Sequence, residues 1–280
     1  MRTVSARRKL LGLGAAVGSL AMLATTAVGS GSASASATKV PPRYASGLTM
    51  AMDATYPPDE FIQGGKIVGF DADLAYAMGK VLGVKVTLQD ATFDTIIASV
   101  QDGKYAVGNS SFTDTTEREA KVTFIDYFSA GEGFYERSSS TVTFNGLASL
   151  CGHKVSVEDG TTEQTDAMAQ AKKCHVTVLS FPDQNGANVA VDDGKVDVGF
   201  ADSQVAAYIV HLSHGTFKLT GKPFETAPYG FIVAKGSGLA QPLLAAVKAL
   251  MADGKYKAIL DKWGVQQGAI SNPGINEVGH

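Results

Sequence analysis

Apolar positions along the chain recur at two spacings, and they trade places repeatedly. Residues 48–52 read as a strand. Over residues 72–82, Leu74, Met78, Val81 and Leu82 recur at helical spacing, and Gly83 ends the run. Strands are expected over 84–88 and 106–108, with a helix over 95–100 between them. A second block repeats the alternation: strand 153–157, helix 162–173, strand 176–181, helix 184–191, strand 196–201, helix 203–212. A strand over 229–234 and a helical stretch over 239–263 follow, with Pro242 tolerated in its first turn and Gly254 a candidate break. This order predicts an α/β fold with mainly parallel sheets covered by helices. In each block a short apolar strand runs into a polar cluster, Val107-Gly108-Asn109-Ser110 and Val198-Gly199-Phe200-Ala201-Asp202. Ligands of such sheets lie beyond the carboxyl ends of the strands. Two sheets facing across a cleft would bring both clusters to one ligand.

The first 37 residues do not fit the alternation. Arg2, Arg7, Arg8 and Lys9 precede an apolar, Gly/Ala-rich run, and Ala35-Ser36-Ala37 is an A-x-A cleavage site. Residues 1–37 are therefore expected to be an export signal, of Sec or twin-arginine type, with Thr38 opening the mature chain. No Cys stands at the cleavage region, so no N-terminal lipid anchor is expected. Removing four basic residues takes the formal net charge from −3 to −7. That balance, without basic runs, argues against nucleic acid. No later stretch is apolar for long enough to span a membrane. Cys151 and Cys174 are the two cysteines. In an exported chain an even pair reads as a disulfide, closing a loop worth about 3 kcal/mol.

Candidate chemistry concentrates in Asn109-Ser110-Ser111-Phe112-Thr113-Asp114-Thr115-Thr116-Glu117-Arg118. A hydroxyl-rich turn at a strand end leads into a helix with Arg in its first turn. Backbone N–H groups, hydroxyls and a guanidinium suit a small carboxylate. A Ser/Thr-rich N-cap beside a solvated Arg suits the same residues. His211 and His214 stand three apart, but no carboxylate or Cys nearby completes a metal site, so solvated surface is favoured. The chain carries no nucleophile elbow, phosphate loop or dinucleotide fingerprint. No cofactor or metal is expected.

Four motifs, in this order and spacing, resemble an extracellular solute-binding protein of the polar amino-acid ABC importer type. They are Asp53-Ala54-Thr55-Tyr56-Pro57-Pro58; Gly69-Phe70-Asp71-Ala72-Asp73-Leu74; Ser110-Ser111-Phe112-Thr113 through Glu117-Arg118; and Val157-Glu158-Asp159-Gly160-Thr161-Thr162. The resemblance runs from about residue 49 to 264. It implies a two-lobed periplasmic-binding-protein fold with two crossing hinge strands, placed near 133–136 and 227–231. Lobe 1 would comprise residues 38–134 plus 229–280, and lobe 2 residues 135–228. It also implies an amino-acid ligand, permease subunits as partners, and a monomer.

The resemblance assigns roles residue by residue. Arg118 matches the carboxylate-binding Arg, with Ser110, Ser111 and Thr113 in the turn that adds donors. Thr161 and Thr162 match lobe 2 donors at a helix N-terminus, with Gly160 letting the backbone approach. Asp202 matches the acid that pairs with the α-ammonium. Simple N-capping explains Asp202, Thr161 and Thr162 equally well on their own. Tyr56 and Phe93 match two aromatics that sandwich the ligand side chain. Asp53 and Glu158 lie where relatives contact the far end of the ligand, and two acids there favour a cationic side chain. Ser111 stands where many relatives carry Gly, and Asp114 replaces a commonly apolar residue. The implied function is capture of a polar, cationic L-amino acid or derivative for an ABC importer. Alternatives are a receptor for glutamine or another neutral polar amino acid, a dehydratase-like enzyme on the same scaffold, and a receptor's sensory domain.

Overall fold

A computed structural model describes residues 39–278. The expected export segment and its cleavage site lie outside the described residues, as does His280. The elements are β1 (Leu48–Met52), β2 (Thr55–Tyr56), β3 (Glu60–Gln63), β4 (Lys66–Val68), α1 (Phe70–Leu82), β5 (Val86–Asp90), α2 (Phe93–Gln101), β6 (Val107–Gly108), α3 (Thr116–Glu119) and β7 (Thr123–Arg137). The chain continues through β8 (Lys154–Glu158), α4 (Thr162–Ala171), β9 (Thr177–Phe181), α5 (Gln184–Asp192), β10 (Val198–Asp202), α6 (Ser203–Leu212), β11 (Phe217–Val233), α7 (Ala240–Ala252) and α8 (Lys255–Trp263).

Eight strands hydrogen-bond in the order β5-β1-β6-β11-β7-β10-β8-β9. The flanks are parallel, as the alternating pattern predicts: β1 pairs with β5 and β6, and β8 with β9 and β10. The centre is not. Strands β7 and β11 run antiparallel to each other and join the two flanks into one ladder, so the sheet is mixed. At one end, Thr123–Asp126 faces Val233–Gly230; at the other, Glu132–Tyr135 pairs with β10. Between them the register of β11 slips at Thr220/Phe224, Phe224/Ala227 and Tyr229/Gly230. Local slips of this kind bend a strand and loosen its ladder. The molecule has the two-lobed α/β fold, with these strands running from one lobe to the other.

Each half of the sheet is buried on both faces. On the first, Phe70, Leu74 and Met78 of α1 meet Leu243, Val247 and Leu250 of α7 over β1 and β7. Ile96 and Val100 of α2 cover the opposite face with Phe112 and Phe124. On the second half, Val205 and Ile209 of α6 pack with Tyr135 and Val191, while Ala167 of α4 packs with Val155, Val157 and Phe200. Full burial of each such side chain contributes about 1.5–3 kcal/mol. Strands covered on both faces read as continuous apolar runs, which is why β1 and β10 stand out in the sequence.

Gly83 caps α1 in the left-handed conformation. The stretch 239–263 divides at Gly254, also left-handed, into α7 and α8. Cys151 and Cys174 are bonded, with Cα atoms 5.6 Å apart, tying the segment before β8 to the end of α4. No helix among the described residues is long and apolar enough to cross a membrane.

Candidate ligand-binding site

The carboxyl ends of β1, β6, β8 and β10 bring Asp53, Ser110, Glu158 and Asp202 to the lining of one pocket, which side chains nearly fill in this arrangement. The other residues expected to contact ligand line it too: Tyr56, Phe93, Ser111, Thr113, Arg118, Thr161 and Thr162. Two residues outside that expectation join them, Glu60 and Glu163. Glu60 begins β3, part of a small antiparallel sheet (β2-β3-β4) whose short strands carry no usable periodicity. Glu163 reads in sequence as a first-turn acid of α4. The inward turn of both is a tertiary feature.

Arg118 sits in α3, a four-residue helix too short for a substantial dipole. Its guanidinium is held between the two blocks, donating to the Thr113 carbonyl at 2.8 Å and the Gly160 carbonyl at 2.9 Å. It also lies over the rings of Phe93 and Phe112, 5.6 and 5.8 Å from their centroids. Burial pulls its pKa below the usual value, and Glu163 and Asp202 oppose that shift.

The hydroxyl turn is committed to carboxylates of the protein. Ser110 Oγ donates to Glu60 at 2.6 Å and accepts from the Asp53 N–H at 2.9 Å. Ser111, at φ 49°, gives its N–H to Asp71 at 3.0 Å and its hydroxyl to Asp59 at 2.8 Å. Thr113 and Thr162 hydroxyls face each other at 3.5 Å. Thr161 caps α4, accepting from Gln164 N–H at 3.1 Å and donating to the Glu158 carbonyl at 2.8 Å.

Asp202 precedes α6 but makes no side-chain cap; its carboxylate accepts from the Tyr56 hydroxyl at 2.7 Å. That bond spans 146 residues of sequence and anchors Tyr56 among residues of the α5–α6 side. Burial lifts Asp202 to about 7, against the lowering effect of bonds from Tyr229 and Tyr56. Asp53 accepts from Thr55 and from the Phe93 N–H at 3.0 Å, so it caps the start of α2 from a distance. Phe93 stacks on Phe112 with centroids 4.6 Å apart. Glu158 is buried beside Asp53, and burial and that neighbour hold its pKa well above the carboxylate range. Burial does the same to Glu60 and Glu163, reinforced by Asp71 and Asp202 respectively. One oxygen each of Glu60, Glu158 and Glu163 is buried without a hydrogen-bond partner.

At Gly160 the backbone of the second block lies against Asp94 of the first. The φ of Gly160 is 81°, and a Cβ there would stand 2.9 Å from Asp94 Cβ. Gly69, at φ 135°, enters α1 so tightly that a Cβ would fall 2.0 Å from the Asp59 carbonyl oxygen. No cluster suited to a metal ion occurs among the described residues.

The sequence profile of the bacterial extracellular solute-binding proteins, family 3, matches residues 48–266. The chain belongs to this family. One relative is the arginine-binding protein ArgT of Corynebacterium glutamicum, 32% identical over 82% of this chain and 78% of that protein. Among solved structures, an ancestral arginine-binding protein bound to arginine superposes with a TM-score of 0.74 at 36% identity, over 77% of this chain and 97% of that one. One bound to glutamine gives 0.74 at 35%, over 78% and 97%. The ancestral amino acid-binding protein AncCDT-1, a precursor of cyclohexadienyl dehydratase, gives 0.71 at 32%, over 77% and 94%. A family 3 protein is an extracellular solute-binding protein, and the cavity at the strand ends is its candidate site.

Proposed function

We propose that this family 3 protein captures a cationic L-amino acid, of arginine or lysine type, and delivers it unchanged to the transmembrane subunits of an ABC importer. One observation carries the reading. The cavity is lined by five carboxyl groups, Asp53, Glu60, Glu158, Glu163 and Asp202, against a single basic residue, Arg118. A free amino acid spends one of its charges on Arg118 and one on Asp202. Of the other acids, Asp53 and Glu158 are neighbours, and a second positive charge would face them. An acidic side chain there meets like charge in a low-dielectric space, which costs several kcal/mol.

In this reading Arg118 clamps the α-carboxylate, Thr113 and Thr162 add hydroxyls, and Asp202 receives the α-ammonium. Phe93 offers its face to the side-chain stem. The crossings, expected near 133–136 and 227–231, are taken here at 129–132 of β7 and 224–228 of β11, because residues 132–135 already pair with β10 and the register slips of β11 permit bending; ligand favours the closed arrangement. The protein acts as a monomer with no nucleic-acid partner. Thermal-shift and calorimetric screening of arginine, lysine, ornithine, histidine, glutamine and glutamate tests the ligand class. Arginine or lysine is expected to give the largest response. Tight glutamate binding with no response to arginine or lysine overturns the reading.

Glutamine is the second reading. Burial favours the neutral form of Glu158, and a neutral carboxyl tolerates an amide where a carboxylate favours a cation. Mass spectrometry of ligand recovered after incubation separates a carrier from an enzyme, since a carrier returns it unaltered.

A further inference from the structure

Glu163 opens α4 and is 2% exposed. An acid in a first helical turn ordinarily faces solvent and complements the dipole. Here the side chain turns into the cavity beside Asp202 and Arg118. One oxygen accepts from the Thr162 hydroxyl at 3.2 Å, and Oε1 is buried with no partner. The charged and titratable groups facing it are Asp202 from β10, Glu132 from β7, Glu158 from β8, Tyr56 from β2, Tyr229 from β11 and Arg118 from α3. Arg118 is the one cation among them. Two neighbouring carboxyls in an enclosed space do not both ionise against one shared cation.

We propose that Glu163 and Asp202 together hold the ligand's α-ammonium group, and that the pair gives up a proton to solvent when that group arrives. The proposal rests on the amino-acid reading above. In the empty site the pair holds at least one proton, with Arg118 as the neighbouring cation. The ammonium enters with its full charge and its own three hydrogens. The shared proton leaves to the buffer. The doubly ionised pair then faces the ammonium, while Arg118 faces the ligand carboxylate. Burial and mutual repulsion favour the protonated pair when it is empty, Asp202 lying at about 7. Affinity should therefore rise with pH below that value, by at most about tenfold per pH unit for each proton released.

Calorimetry of L-arginine binding to the full chain at about pH 6, in buffers of different ionisation enthalpy, counts the protons. Release of about one proton or more is expected for the wild type. Glu163→Gln should reduce the release and weaken arginine on the order of tenfold, while Glu163→Asp should restore the release. Nα-acetylarginine keeps the carboxylate and guanidinium but lacks the ammonium, so it should bind weakly and without release. Arginine binding with no proton exchange in the wild type overturns the proposal and leaves the ligand class standing. So does Glu163→Gln with unchanged affinity and proton count. If that variant does not fold, the contrast between arginine and Nα-acetylarginine on the wild type decides. No response to any of the screened amino acids overturns the ligand class, and this proposal with it.

Discussion

A methyl group at Gly160 should separate closure from folding. With the two blocks in contact as they are here, an added Cβ would stand 2.9 Å from Asp94 Cβ and 3.0 Å from Asp94 Cα. Carbon atoms in contact prefer about 3.5–4.0 Å, so the blocks must part locally by more than half an ångström. Arg118 donates to the Gly160 carbonyl at 2.9 Å, and the same parting stretches that bond. Overpacking of this size costs about 1–3 kcal/mol, and the cost falls on the closed state alone. At 1.4 kcal/mol per decade, Gly160→Ala should weaken a ligand that requires closure by roughly 5- to 150-fold. The φ of 81° adds about 1–2 kcal/mol of backbone strain for alanine, present with or without ligand. That part should appear as a fall of the ligand-free Tm, at about 2–4 °C per kcal/mol for a chain of this size. Calorimetry reads the first effect and thermal denaturation the second. Affinity within twofold of wild type, in a variant that folds, would refute a closed ligand complex of this geometry.

Arg118→Ala should cost on the order of 2–5 kcal/mol in ligand affinity by calorimetry, because a buried ligand carboxylate loses its partner; near-native affinity removes Arg118 from the site. Replacing Cys151 and Cys174 together with serine should lower stability by about 3 kcal/mol in denaturant titration while leaving the ligand ranking unchanged. Ligand-free Tm should fall as pH rises from about 5 to about 9. Burial lifts Asp59 and Asp114 to about 8 and Asp126 to about 7, so the folded state holds protons that an unfolded carboxylate loses near pH 4. The stability those groups contribute is complete below about pH 4 and is lost as pH passes their folded values. A flat or rising profile would place them outside the buried, protonated state.

The parallel flanks of the sheet were legible in the sequence because burial on both faces leaves strong apolar runs. Residues 48–52 and 203–212 stand where the pattern puts them. Of the antiparallel centre the pattern showed only the end of β11, as the strand over 229–234. In β7 the buried face accepts Asp126, Glu132 and Glu136, whose polarity breaks the run. The first half of β11 carries Lys218, Gly221, Lys222, Pro223 and Glu225 with much of its length exposed, so it reads as loop. Other boundaries moved by a few residues, α1 and α2 each starting two earlier and β5 two later than the spacing predicts. The site was legible to the extent that its residues sit in short motifs at strand ends. Glu60 and Glu163 escaped because nothing local tells an inward acid from a capping one. The roles of Ser110 and Ser111 were incomplete for a related reason: the buried acids that occupy their hydroxyls, Glu60 and Asp59, belong to segments without a periodic signature.

The surplus of acids bears on how selection works. Several ties hold the two blocks together around the cavity, among them Arg118 to the Gly160 carbonyl, Tyr56 to Asp202, Gln204 to Asp59, the Gln184 N–H to the Thr55 hydroxyl, and Thr113 against Thr162. Each joins a residue of the first block to one of the second. Closing on nothing leaves Glu163 Oε1 buried without a partner and sets Glu158 against Asp53 and Glu60 against Asp71, carboxyl to carboxyl; an unmet buried polar group costs about 1–3 kcal/mol. Closing on an amino acid with a cationic side chain satisfies acids at both ends of the cavity. Closing on glutamine supplies an amide donor at one end, which meets a neutral carboxyl but gives an ionised one less than a cation does. A ligand's effect on the closed population equals its differential affinity for the two states, so a cation should drive closure further than an amide of similar length. Small-angle scattering at saturating ligand should then give a smaller radius of gyration with arginine than with glutamine. Equal compaction by both would mean that the acids at the Asp53–Glu158 end take no part in closure, and that discrimination is complete before the lobes meet.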